Sequence, residues 1–148
     1  MYINISINKD EDGNAIQELV PLKNNFTDAG YDLKTASEIN LYPQHEVKVD
    51  TGIRMEIPVG YMGLVVPRSG LGSKGLVMKN TVGIIDADYR GNIFVKIKNT
   101  GDELINIPQF GRFAQIVFVP ILLLSGFNVF DDLNETHRGS SGFGDSGL

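Results

Sequence analysis

The chain has 148 residues, 13 basic and 18 acidic side chains, a formal net charge of −5 and no cysteine. That length fits one domain with a sizeable core, and a composition 42% hydrophobic and 21% charged excludes a disordered chain. Without cysteine there are no disulfides and no thiolate ligands; two histidines leave little for a metal site or a Ser-His-Asp triad, and the acidic balance argues against gripping nucleic-acid backbones.

Taken in chain order, the elements read as strands. Ile3, Ile5 and Ile7 alternate with Asn4 and Ser6, and the opening Met1-Tyr-Ile-Asn-Ile5 lacks the basic and apolar regions of a secretion signal. Val47, Val49, Ile53, Met55 and Ile57 alternate with Lys48, Asp50, Arg54 and Glu56, predicting half-buried strands. Residues 61–66 and 113–119 are more continuously apolar, as expected of strands covered on both faces. Between them, a short helical turn is expected near 70–78, and Ile93, Val95 and Ile97 alternate with Lys96 and Lys98. The longest apolar run, 116–124, contains Pro120 and is too short to cross a bilayer, so the expected compartment is the cytoplasm, or a host cell's cytoplasm for a viral chain. Short strands separated by 17 glycines and 6 prolines predict an antiparallel sandwich or barrel. The composition changes only at the end, where residues 138–148 are rich in glycine and serine, a boundary that separates a body (1–137) from a mobile tail.

Chemistry collects around arginine and glycine. Four of the five arginines stand next to or near glycine: Arg68-Ser-Gly, Arg90-Gly, Gly-Arg112 and Arg138-Gly. Glycine lets a backbone approach a ligand, and the guanidinium fork matches phosphate oxygens. Gly70-Leu-Gly72-Ser-Lys-Gly75 fits a dinucleotide-binding spacing, but no long amphipathic helix comes after it, so it reads as a turn. The densest segment is 80–92, where Asp86, Asp88, Tyr89 and Arg90 crowd a hairpin between strand patterns. Aspartate is common in turns for its own reasons, yet phosphoanhydride hydrolysis needs a carboxylate to take a proton from water. Spacing does not choose between the two aspartates. In the tail, Phe143 is an aromatic without a local core, equally suited to stacking on a base or to docking the tail.

In order, Ala29-Gly-Tyr-Asp-Leu33, Pro67-Arg-Ser-Gly-Leu71 with Lys74-Gly75, Gly83-Ile-Ile-Asp-Ala-Asp-Tyr-Arg-Gly91, Gly111-Arg-Phe-Ala-Gln-Ile116 and Arg138-Gly-x-x-Gly-Phe-Gly144 resemble the five motifs of the trimeric dUTP pyrophosphatase (dUTPase) family. The likeness runs from about residue 28 to the C-terminus. It implies an all-β, distorted jelly-roll barrel forming a homotrimer with shared active sites, and Mg²⁺-assisted hydrolysis of dUTP to dUMP and pyrophosphate. By position, Asp86 would activate the water that attacks the α-phosphorus. Arg68, Ser69, Gly70 and Gln115 would contact phosphates, while Asn80, Ile84, Ile85 and Phe94 would line a uracil slot. Tyr89 would pack under the deoxyribose, Arg138 would reach the γ-phosphate, Phe143 would stack on uracil, and Gly144 and Ser146 would donate to phosphate. Asp32 would organise the metal's waters. Segment 120–136, which has no motif, would cross to a neighbouring subunit.

Two other readings compete. dCTP deaminases share the fold and the Pro-Arg-Ser segment but use a glutamate in the hairpin region, where this chain has Asp86-x-Asp88-Tyr89. A binding module that senses dUTP for a partner protein would not need Asp86, Tyr89, Arg138 and Phe143 all in place. No nucleic-acid or membrane partner is expected.

Overall fold

The alternating patterns become eleven strands in a computed structural model that describes residues 2–140. They are β1 (Asn4–Ile7), β2 (Tyr31–Lys34), β3 (Ile39–Leu41), β4 (Glu46–Asp50), β5 (Ile53–Glu56), β6 (Tyr61–Pro67), β7 (Leu76–Met78), β8 (Gly83–Ile85), β9 (Phe94–Asn99), β10 (Ile105–Ile107) and β11 (Arg112–Pro120). All the pairings between them are antiparallel. A four-stranded sheet runs β2-β11-β6-β8 and a three-stranded sheet runs β4-β9-β7, with β1-β5 and β3-β10 as separate pairs. Among the described residues no helix is long and apolar enough to cross a membrane.

The alternation places one face of each strand in a single core. Leu33, Ile97, Phe113, Ala114 and Ile116 are fully buried, and Val65, Leu76, Ile93 and Val95 nearly so. Buried polar side chains are paired, as burial demands: Thr51 Oγ1 donates to the Ile93 carbonyl at 2.8 Å, and Asn99 Nδ2 donates to the carbonyls of Leu41 (2.9 Å) and Glu103 (2.7 Å). The expected run over 47–57 is two strands. It breaks at Thr51-Gly52, where Gly52 has φ +68° and donates its N–H to Asp50 Oδ1 at 2.8 Å. The expected helical turn is a single turn, α1 (Ser69–Gly72), and the chain beyond it is strand β7, so the glycine spacing at 70–75 is indeed a turn and not a nucleotide-binding helix start.

β6 and β11 are the two central strands of the four-stranded sheet, but only one face of each enters the core. Directly opposed residues share a face of a sheet, so the pairs Gln115↔Val66, Val117↔Leu64, Val119↔Met62 and Leu64↔Ile84 define the other face. That second face is largely apolar, yet its members are only half-buried, and Ile84 is exposed. After Pro120 the chain leaves the body: residues 121–140 are exposed throughout and form no strand.

Phe113 anchors this core with no exposed surface. Phe113→Ala should cost about 3–5 kcal/mol of unfolding free energy through lost burial and the cavity left behind. Chemical denaturation of the two proteins side by side measures this, and an unchanged midpoint would contradict it.

Candidate active site

Register, rather than sequence proximity, builds the first cleft. In β11, Gln115 lies opposite Asp32 on one side and Val66 on the other, and Pro67 pairs with Ala114. Three segments far apart in the chain thus meet at the end of β6, where Arg68 and α1 continue the chain. The result is a cleft of about 360 Å³ lined by Lys23, Asn24, Asp28, Ala29, Gly30, Asp32, Arg68, Ser69, Gly70 and Gln115.

Its charges are fixed by an ion-pair cluster. Asp32 Oδ1 accepts from Arg68 Nε at 2.7 Å, and Oδ2 from Arg112 Nη1 at 3.1 Å, with the aspartate side chain only 12% exposed. One carboxylate and two guanidinium groups leave a local charge of +1 in a chain of net −5. Arg68 also donates from Nη1 to the Arg112 carbonyl at 3.3 Å. Gln115 is oriented by donating Nε2 to the Pro67 carbonyl at 3.1 Å. A Cβ on Gly30 would lie 2.2 Å from Gln115 Oε1, so glycine is required there for the glutamine to keep its place.

The second cleft, about 260 Å³, lies at the connection from β8 to β9, which join different sheets and so do not form the hairpin expected from the sequence, and is lined by Lys48, Ile84, Ile85, Asp86, Tyr89, Asn92, Ile93 and Phe94. A turn holds it: the Tyr89 N–H donates to the Asp86 carbonyl at 3.2 Å, and the Tyr89 hydroxyl to the Asn92 carbonyl at 2.9 Å. Gly91 lets the phenol fold back, because a Cβ there would stand 2.5 Å from the Tyr89 hydroxyl oxygen and 2.7 Å from Cζ. Asn92 Nδ2 bonds both oxygens of Asp50, at 3.3 and 3.1 Å, tying the β8–β9 connection to β4. Lys48 Nζ stands 3.9 Å from the Phe94 ring centroid, a cation–π contact.

Of the two aspartates that the sequence leaves level, Asp86 lines this cleft and Asp88 does not. Asn80 sits in the turn after β7, exposed and outside the lining, beside Thr81 at φ +61°. Arg138 lies in the exposed segment beyond β11, on the lining of neither cleft. Phe143, Gly144 and Ser146 lie outside the described residues. No residue is common to the two linings. A larger apolar cleft, about 540 Å³ between β1, Tyr31, Met55 and Phe118, has no charged lining residue and is no place for a polyanion.

Among the described residues no three acidic or histidine side chains cluster to cage a metal. Asp32, expected to work on metal-bound water, has both oxygens engaged by arginine. A carboxylate has about four lone-pair sites, so room for a water remains on each oxygen. Sequence reasoning gave Arg112 no role, although its neighbouring glycine marked it, and it missed Lys48, which looked like an ordinary solvent-facing position in an alternating strand.

The family profile described as dUTPase matches residues 18–147. The deoxyuridine 5'-triphosphate nucleotidohydrolase of Escherichia phage T5 is 42% identical over 126 residues, covering 80% of this chain and 85% of its own. That of Cutibacterium acnes is 39% identical over 136 residues, covering 90% and 89%. Among solved structures, a Staphylococcus bacteriophage 80alpha dUTPase mutant with dUpNHpp superposes with a TM-score of 0.83 at 30% identity, covering 99% of both chains. A phage phi11 dUTPase of S. aureus, described with a coordinated structural Mg(II) ion, gives 0.73 at 28% identity, covering 93% and 99%.

The Gly30–Gln115 contact is open to a direct check. Gly30→Ala meets the far end of a flexible side chain rather than backbone, so the protein should fold with a near-normal melting temperature. Turnover should nonetheless fall by roughly tenfold or more as Gln115 is pushed from the cleft. Full activity would show that the position of Gln115 does not matter.

Proposed function

The chain belongs to the dUTPase family and is a dUTP diphosphatase with the family's jelly-roll fold, and from that premise we propose how its residues divide the work. Asp86 accepts a proton from the water that attacks the α-phosphorus, and pyrophosphate leaves. Its support is its place on the cleft at the β8–β9 connection, beside Tyr89 and Phe94. A base so placed contributes about 10²–10⁴-fold. Ile84, Ile85 and Phe94, with Asn80, form the uracil slot, and Tyr89, held back on Gly91, lies beneath the deoxyribose where a 2′-hydroxyl would collide. Arg68, Ser69, Gly70 and Gln115 take the phosphates. A triphosphate brings about four negative charges, and the +1 cluster around Asp32 places fixed positive charge where more negative charge develops in the transition state.

Mg²⁺ belongs to this reading as a partner of the phosphates, with Asp32 accepting from one of its waters. When bound it neutralises phosphate charge, and with no carboxylate cage among the described residues most of its ligands must come from substrate and solvent. Arg138, Phe143, Gly144 and Ser146 close over substrate from the tail, excluding water.

The observation that carries the proposal is a length. In the β6–β8 register Ile85 faces Gly63, so Asp86 comes level with Met62 near the start of β6, while Arg68 lies just past its far end. Six residues at about 3.3 Å each separate the two by about 20 Å. No single chain can put both on one α-phosphate. A homotrimer that sets the Arg68 cleft of one subunit against the Asp86 cleft of the next completes each site. The half-buried apolar face of β6 and β11 and the exposed apolar residues Leu122, Phe127, Val129, Phe130 and Leu133 supply surface for that assembly.

Two experiments test this. Asp86→Asn and Arg68→Ala should each lose about 100-fold or more in turnover as pure proteins, the first while still binding dUTP. Refolded together in equal amounts, they should regain activity at about a quarter of sites, where two intact halves meet. Mixtures as inactive as their parents would exclude a shared site, and a fully active Asp86→Asn would exclude the base. Separately, Gly91→Ala should displace the Tyr89 ring and raise UTP turnover relative to dUTP by roughly tenfold. An unaltered ratio would remove Tyr89 from sugar selection.

A further inference from the structure

Asp32 stands between two guanidinium groups, and only one of them reaches the cleft. Arg68 lines it; Arg112 does not. Arg112 instead holds Asp32 Oδ2 with Nη1 at 3.1 Å and extends the same nitrogen towards Asn24 Oδ1 at 3.4 Å. It is placed there by an irregularity: the register of β11 against β2 shifts between Arg112 and Ala114. Such a shift re-aims the side chain at a strand's beginning.

We propose that Arg112 is a positioning residue for dUTP hydrolysis, acting through Asp32 to keep the guanidinium of Arg68 turned to the triphosphate. A carboxylate alone with one arginine prefers the two-point, fork-to-fork pairing, which uses two N–H groups along one edge of the guanidinium. Here Arg112 occupies one of the two oxygens, so Asp32 holds Arg68 at a single point, Nε, with 2.7 Å between the atoms. The Arg112 carbonyl takes Nη1 at 3.3 Å, and the remaining Nη2 edge stays available to phosphate oxygen. Arg112 also sets the charge. With it, the cluster carries +1; without it, Asp32 cancels Arg68 and the cluster carries none. Both effects reach the substrate only through Arg68, a dependence that separates positioning from general support of the fold.

This inference rests on the reading of Arg68 as a phosphate ligand, and a double-mutant cycle tests the two apart. Pyrophosphate release from dUTP is measured for the wild type, Arg112→Met, Arg68→Ala and the double variant, with Arg112→Lys as the conservative replacement. Arg112→Met should lower kcat/KM by about ten- to a hundredfold at an unchanged melting temperature, a geometric and electrostatic loss of the size seen when an aligned charged donor is misplaced. Arg112→Lys, which returns a charge and a donor to Asp32 Oδ2, should recover most of it. In the Arg68→Ala background Arg112→Met should cost nothing further. Equal losses in both backgrounds, or wild-type activity for Arg112→Met, would overturn the proposal. Wild-type activity for Arg68→Ala would strike instead at the reading of Arg68. If Arg112→Met does not fold, the cycle is run with Arg112→Lys, whose smaller loss must likewise vanish without Arg68.

Discussion

An extended strand is stiff and rises about 3.3 Å per residue, so β6 holds the groups at its two ends apart. Arg68 is the first residue after that strand, and Asp86 reaches the strand's other end through β8. No loop movement within one chain brings the guanidinium of Arg68 and the carboxylate of Asp86 together across the hydrogen-bonded ladder of a four-stranded sheet. The rigidity that makes each half-site well defined also keeps the halves separate. On the proposed reading assembly is part of the chemistry rather than an addition to it, and the half-buried apolar face of β6 and β11 is the surface it would use.

Each half solves a different physical problem. At the Asp32 end the problem is charge. A chain with five more acidic than basic side chains concentrates two of its five arginines on one nearly buried carboxylate, and on the proposed reading that is how it welcomes a polyanion. At the Asp86 end the problem is shape. There Ile84, Ile85, Tyr89, Ile93 and Phe94 line a small cleft, with charge confined to Asp86 and Lys48. Two glycines serve these ends by contact rather than by unusual backbone angles: Gly30 leaves room for Gln115, and Gly91 for the Tyr89 phenol.

The strands with strict alternation were legible in the sequence because each puts a whole face into one core: β1, β4, β5 and β9 lie where the pattern of Ile, Val and Met places them. β3, β7, β8 and β10 were not, since three residues carry too little periodicity to stand out from a turn, and β2 buries two adjacent residues, Asp32 and Leu33, instead of alternating. The five motifs singled out residues that the structure gathers in two clefts, Arg68 and Gln115 in one and Asp86 in the other, with Asp88 on the lining of neither. Register was hidden: nothing in the order of residues says that Gln115 will sit between Asp32 and Val66. Nor could spacing reveal that Asp32 spends both oxygens on arginine, since Arg112 is 80 residues away.

The stretch beyond Pro120 carries leucine and phenylalanine side chains in full contact with water, among them Leu122, Phe127 and Leu133 at 82, 88 and 82% exposure. A solitary subunit with such a surface is adhesive before it is useful. If the proposed trimer is the working form, every newly made copy must find its own kind before it meets another hydrophobic surface, and the race is won by abundance, because the rate of the first encounter grows with concentration whereas the hazard from unrelated proteins does not. Expression level thereby becomes a folding parameter for this protein, and a sparse supply of subunits threatens solubility as well as catalytic output.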